Sequence, residues 1–242
     1  MLKPIDWNVI QETEIKERLI KKFLLGSFNY MSNDISYVIL TNISAIFDSL
    51  ISVFTKSHKI IYPQVAVWKT AIITSKFHKT LTPKILILKA KTGSAIIDNL
   101  RLVKLLNPSK IMFIGLAARI NPSLTLSKAY KITHLCPSKM NKGSQGYNIT
   151  SVWGMFENRE TYANIKRQNI DVVDMESCFF RNFLLSYKKT PPQLEYIVII
   201  SDDPFVFHIS NTPVDLKQLV QANIDTLKRH VKSFIGVVGK SI

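Results

Sequence analysis

The feature that most constrains this chain is a set of apolar runs of strand length that end on small or polar residues. "SYVILTNI" (36–43), "KILILKA" (84–90), "KIMFIGLAA" (110–118) and "LEYIVIISDD" (194–203) are of this kind. "VAVWKTAIIT" (65–74), "AYKITHL" (129–135), "YNITSVWGMF" (147–156) and the short "IDVVDM" (170–175) also predict strands. Between them lie segments with helical spacing: 45–54, 95–106, 158–168, a stretch through Tyr187, and a last helix over 212–235. In that helix Leu216, Leu219, Val220, Leu227, Val231 and Phe234 form an apolar stripe, with Thr212 the expected N-cap and Pro213 suited to the first turn. Strands that alternate with helices predict a three-layer α/β sandwich with a largely parallel central sheet. No linker, repeat or low-complexity tract interrupts the pattern, so 1–242 reads as one domain. Residues 1–30 are expected to add a helix, from Ile10, Ile15, Leu19, Ile20 and Phe23, ended by Gly26.

Composition removes several function classes. No apolar run reaches the roughly 18 residues of a membrane span, and the mixed charges of the first residues do not read as a signal peptide. Cys136 and Cys178 are the only cysteines and give neither a disulfide framework nor metal-ligand spacing, so a reducing cytoplasm is expected. His58, His78, His134, His208 and His230 show no ligand pair, and no metal is assigned. The chain carries 32 Lys+Arg against 17 Asp+Glu, a net charge of +15. These cations are scattered (Lys16, Lys69, Lys128, Lys188 and Lys228 among them) without a block, so they read as a solvated surface and not as a nucleic-acid site.

In open α/β sheets ligands gather beyond the carboxyl ends of strands. Four stretches sit there: "KTGS" (91–94), "GLAAR" (115–119), "DMES" (174–177) and "SDDP" (201–204). If their strands are parallel, the four ends share one rim. Each has a bland reading. "SDDP" is good turn chemistry. The glycine of "KTGS" is common in strand-to-helix loops, although backbone N–H groups at a helix start favour anions. The small residues of "GLAAR" serve close packing as readily as close approach of a ligand. Asp174 and Glu176 suit the positive end of a helix dipole. Each also has a functional reading, the sharpest being Asp202, delivered by a buried strand to a place where its pKa would rise.

In their order along the chain, these stretches resemble the nucleoside phosphorylase superfamily, which includes the methylthioadenosine/S-adenosylhomocysteine nucleosidases. The most specific parts are "VVDMES" (172–177) and "IISD" (199–202), in which Asp202 follows Glu176 by 26 residues. "IGLAARI" (114–120) is similar to the family's Gly-x-Ala-Gly-Gly segment. The resemblance implies a single α/β domain around a twisted mixed sheet, usually oligomeric, cytoplasmic and active in nucleoside metabolism, purine salvage included. It implies cleavage of an N-glycosidic bond in a nucleoside or related N-riboside. The nucleophile is phosphate or water, and no metal or organic cofactor is required. Carried over by residue, Glu176 binds the ribose hydroxyls, Met175 packs on the sugar, and Phe156 stacks on the base with Ser201 beside it. Asp202 then protonates the leaving base, and Thr92, Gly93 and Ser94 hold phosphate or the attacking water.

The departures define an alternative. "GLAAR" replaces two family glycines with Ala118 and Arg119, Ser127-Lys128 stands for a family Gly-Asp, and "TGSA" lacks a second glycine. No glutamate follows the first strand, where nucleosidases carry one to activate water; Asp48 lies about a turn too late. The alternative is a catalytically altered member that binds a nucleoside-like ligand without turnover.

Overall fold

A computed structural model of the chain describes residues 35–55, 58–61, 69–75, 84–137, 145–152, 159–205 and 215–236. The helix expected within 1–30, the aromatic Phe156, His208 and the expected cap Thr212 lie outside these residues.

Ten described strands form one sheet. They are β1 (Ile35–Thr41), β2 (His58–Ile61), β3 (Thr70–Ser75), β4 (Lys84–Lys89), β5 (Lys110–Arg119), β6 (Ala129–Ile132), β7 (His134–Leu135), β8 (Asn148–Ser151), β9 (Val172–Asp174) and β10 (Gln193–Asp202). The helices are α1 (Ser44–Phe54), α2 (Ile96–Leu106), α3 (Arg159–Arg167), α4 (Ser177–Leu185) and α5 (Leu216–Phe234). Strand order is β2-β3-β4-β1-β5-β9-β8-β7, with β10 also on β5 and β6 beyond it. The centre, β4, β1, β5 and β10, is parallel. β2, β3 and β6 join antiparallel at the margins.

The apolar runs are apolar throughout because both faces of these strands are covered. Alternate residues of a strand point to opposite faces. Val38, Leu40, Ile111, Phe113, Tyr196 and Val198 pack with Leu100, Val103, Phe180 and Phe183 of α2 and α4. Ile39, Met112, Ile114, Ile197 and Ile199 pack with Phe47, Leu50, Val220 and Leu227 of α1 and α5 on the other side. The molecule is therefore the expected three-layer α/β sandwich. Each fully buried aliphatic or aromatic side chain of this kind stabilises the fold by about 1.5–3 kcal/mol. α5 starts at Leu216, with Asp215 as N-cap accepting from the N–H groups of Lys217 and Gln218.

Two expectations are corrected. The first concerns the rim: β9 runs antiparallel to β5, pairing Ala118 with Val173 and Arg119 with Val172. The "DMES" end therefore reaches the rim from the opposite direction to the other three. β10 occupies one edge of β5 over nearly its whole length. β1 and β9 must share the other edge. β1 stops opposite Ile114 and β9 pairs only with Ala118 and Arg119. The two strands point at each other across Gly115–Ala117.

The second concerns the cysteines. Cys136, just after β7, and Cys178, in the first turn of α4, form a disulfide with a Cα–Cα separation of 5.4 Å, within the range that allows the bond. The expectation that the two cysteines form no disulfide is thereby corrected. Among the described residues no helix is long and apolar enough to cross a membrane.

Candidate active site

The head-on meeting of β1 and β9 builds the most organised polar cluster on the rim. Glu176 is only 2% exposed. Its Oε1 accepts the backbone N–H of Gly93 at 2.7 Å and the Nδ2 group of Asn42 at 3.2 Å. Among the described residues its Oε2 accepts the N–H of Met175, at 3.3 Å. The donors come from the end of β1, the turn after β4 and the end of β9. Burial, then the charge of Asp174, push the Glu176 carboxyl up to about 7, against the pull of those three donors. One oxygen is thus held, and the other is the better placed for a ligand.

Asp174 and Glu176 divide the two roles that the sequence left open. Asp174 is the helix-start acid: its Oδ1 accepts the N–H groups of Glu176 at 3.3 Å and Ser177 at 3.0 Å, and the Ser151 hydroxyl at 3.2 Å. Its Oδ2 accepts the hydroxyl of Tyr196. Burial raises its pKa. Tyr196 is anchored in turn by ring contacts with Phe113 and Phe180, centroids 4.7 and 5.3 Å away. Glu176 makes no side-chain cap bond to its own helix. Its side chain is turned across the sheet instead.

Gly93 is required by its conformation and its neighbour. Its φ is +60°, and a Cβ there would stand 3.2 Å from the Met175 methyl. Gly93, Met175 and Glu176 are therefore brought together, while Thr92 and Ser94 on either side are exposed. The anion that this turn holds is the Glu176 carboxylate. Gly115 serves packing: a Cβ there would lie 2.6 Å from the Phe113 ring.

Asp202 stands across β5 from this cluster. It pairs with Ala118, whose other neighbour is Val173, and the pairing slips between Ile200 and Asp202. A bulge of this kind re-aims a side chain at a strand end. Two strand spacings separate the backbones of Asp202 and Val173, about 10 Å. The Ser201 hydroxyl donates to Asp202 Oδ1. Burial raises the Asp202 pKa; the Ser201 bond opposes this and the nearby charge of Asp203 adds to it. Asp203 is committed elsewhere, accepting from Arg119 Nε at 2.9 Å and from the N–H of Phe205 at 2.9 Å. Arg119, which replaces a glycine of the resembled family, also donates to the Leu124 carbonyl at 2.8 Å. The anion that it meets is a neighbouring aspartate. Asp48 lies away from the rim, exposed and paired with Lys69 at 2.5 Å. Among the described residues no group of His, Cys, Asp and Glu could hold a metal ion. Sequence reasoning missed Asn42, Tyr196 and the Arg119–Asp203 pair. Only Asn42 left a signal, a polar residue closing the apolar "YVILT".

No family model and no curated protein matches the chain. Solved structures do. The methylthioadenosine/S-adenosylhomocysteine nucleosidase of Campylobacter jejuni superposes with a TM-score of 0.62 at 14% identity, covering 84% of this chain and 100% of that one. Futalosine hydrolase of Helicobacter pylori gives 0.59 at 11% identity, with 86% and 100% covered. The purine nucleoside phosphorylase of Toxoplasma gondii, in complex with immucillin-H, gives 0.62 at 10%, with 86% and 94% covered. The chain shares the fold of these nucleosidases, hydrolases and phosphorylases at 10–14% identity.

Proposed function

We propose that the protein cleaves the N-glycosidic bond of a nucleoside or related N-riboside and releases the base. The observation that carries this reading is Glu176: a buried carboxylate with one oxygen fixed by two donors, across β5 from an aspartate whose pKa is raised. The strands that carry them, β9 and β10, flank β5 on opposite edges, so that the backbones of Val173 and Asp202 stand about 10 Å apart. In such a reaction positive charge develops on the sugar and negative charge on the base. Glu176, ionised, accepts from a ribose hydroxyl and fixes the sugar. Asp202, whose pKa is raised by burial and by the nearby charge of Asp203, donates to the departing base when protonated. Met175 packs on the sugar, Ser201 orients the acid, and Phe156 stacks on the base. Thr92 and Ser94 flank the nucleophile, phosphate or water, while the Gly93 amide holds Glu176. No metal or organic cofactor is needed. The protein works as a homo-oligomer, which sedimentation would test. A panel of nucleosides with and without phosphate, read by free base, tests the reaction and separates phosphorolysis from hydrolysis.

A second reading has its own support. The Gly93 amide is committed to Glu176, and Asp48 faces solvent beside Lys69. A binder without turnover would show heat on titration with adenosine or a thioether nucleoside and release no base.

A further inference from the structure

Asn42 follows the last residue of β1 and ends an otherwise apolar strand. Its Nδ2 group donates to Glu176 Oε1, the oxygen that Gly93 already holds. Its Oδ1 is buried without a hydrogen-bond partner among the described residues and lies 3.5 Å from where a Gly115 Cβ would stand. A buried amide oxygen left unpaired is unfavourable, so an apolar residue would suit this strand end better if packing were all that mattered. The orientation of the amide follows from the charge of Glu176. Reversed, Oδ1 would face Oε1, acceptor against acceptor. That arrangement becomes favourable only when Glu176 is protonated and can donate to Oδ1.

We propose that Asn42 is a positioning residue for Glu176: it fixes Oε1, leaves Oε2 for a sugar hydroxyl, and couples its own amide orientation to the proton on the carboxylate. The sugar in this statement rests on the glycosidic reading above; the coupling between the two side chains does not. The titratable groups coupled to Glu176 from the elements around it are Asp174 on β9, whose charge raises it, and Tyr196 on β10, whose own pKa the Glu176 charge raises. Neither is altered by a substitution at Asn42. Donation from Asn42 favours the ionised form, so its loss must raise the pH at which Glu176 takes its proton.

The test is a carboxyl carbon NMR titration of protein labelled with ¹³C-glutamate, with the Glu176 signal assigned by its loss in Glu176→Gln. Asn42→Leu should move the Glu176 midpoint upward by about 0.5–1 pH unit. Asn42→Asp, which preserves shape, should move it further. If Asn42→Leu does not fold, Asn42→Ala, which also removes the donor without adding a charge, decides. An unchanged midpoint in every folded variant overturns the proposal. Base release from adenosine by the unsubstituted protein is measured alongside. A moved midpoint with no base released leaves the coupling standing and removes only the glycosidic reading.

Discussion

The two carboxylates of the rim are held by different physical means. Glu176 is almost wholly buried and is fixed by donors from three segments before any ligand arrives. Asp202 sits half-buried on a bulge, with one side-chain donor, Ser201, and a like charge next door. Burial and a neighbouring acid raise both carboxyls; what distinguishes Glu176 is that hydrogen bonds from three segments fix it, whereas Asp202 has the single side-chain donor Ser201. Holding a sugar needs a fixed oxygen, whereas supplying a proton needs a carboxyl that resists ionisation.

The contrast can be broken at either end. Asp202→Asn removes the acid and should lower base release about 10²–10⁴-fold with KM little changed, measured as kcat on the best nucleoside of a panel. Glu176→Gln removes a charge-assisted hydrogen bond of about 1.5–3 kcal/mol. It should cost about 10–150-fold in kcat/KM, part of it in KM. Equal losses with the same KM pattern in both variants would show that the two carboxylates act alike.

Stability sharpens the same contrast. The Glu176 carboxyl is raised from 4.5 to about 7 in the folded protein, mainly by burial. The folded state therefore binds this proton more tightly than the unfolded chain. The resulting stabilisation is complete below pH 4.5 and is lost as pH rises through about 7. At about 1.4 kcal/mol per pH unit, Glu176→Gln should gain up to about 3 kcal/mol over the parent at pH 8 and almost nothing at pH 4. Melting curves at the two pH values decide. No gain at pH 8 would mean that the three donors already offset the burial cost. Gly93→Ala should lose about 1–2 kcal/mol, because its left-handed backbone disfavours a side chain. Chemical denaturation measures it. The smallest effect belongs to Arg119→Gln. It leaves the charge of Asp203 uncompensated, so Asp202 holds its proton to higher pH. The alkaline limb of the pH–rate profile should move upward while the peak rate changes only about 2–5-fold. A limb that stays in place would separate Asp203 from Asp202.

The parts of the fold that were legible in the sequence are those where one strand carries its own evidence. β1, β4, β5 and β10 are apolar on both faces because both faces are covered, and this pattern is local. The reversed direction of β9 is not local. It depends on how the chain returns through β6, β7, β8 and α3, which no property of "VVD" encodes. Glu176 was legible only together with the aspartate 26 residues further on. By itself it could not be told from Asp174, since both are acids at a helix start and only the partners across the sheet separate them. Asn42 was passed over because a polar residue at a strand end is ordinary until its neighbour is known. The pairing of Cys136 with Cys178 spans 42 residues, and two lone cysteines carry no sign of proximity.

The Cys136–Cys178 bond makes part of the rim a closed ring. Everything between Cys136 and Cys178, including β8, α3, β9, Met175 and Glu176, lies on a segment joined covalently at both ends. In the chain-entropy description, closing a loop of this length stabilises the fold by about 4 kcal/mol. The topological consequence is independent of that figure. A single peptide cleavage anywhere inside the ring, such as beside Phe156, yields two polypeptides but not two molecules. The nicked protein stays one covalent molecule, heavier by one water, and separates into fragments only when the sulfurs are reduced.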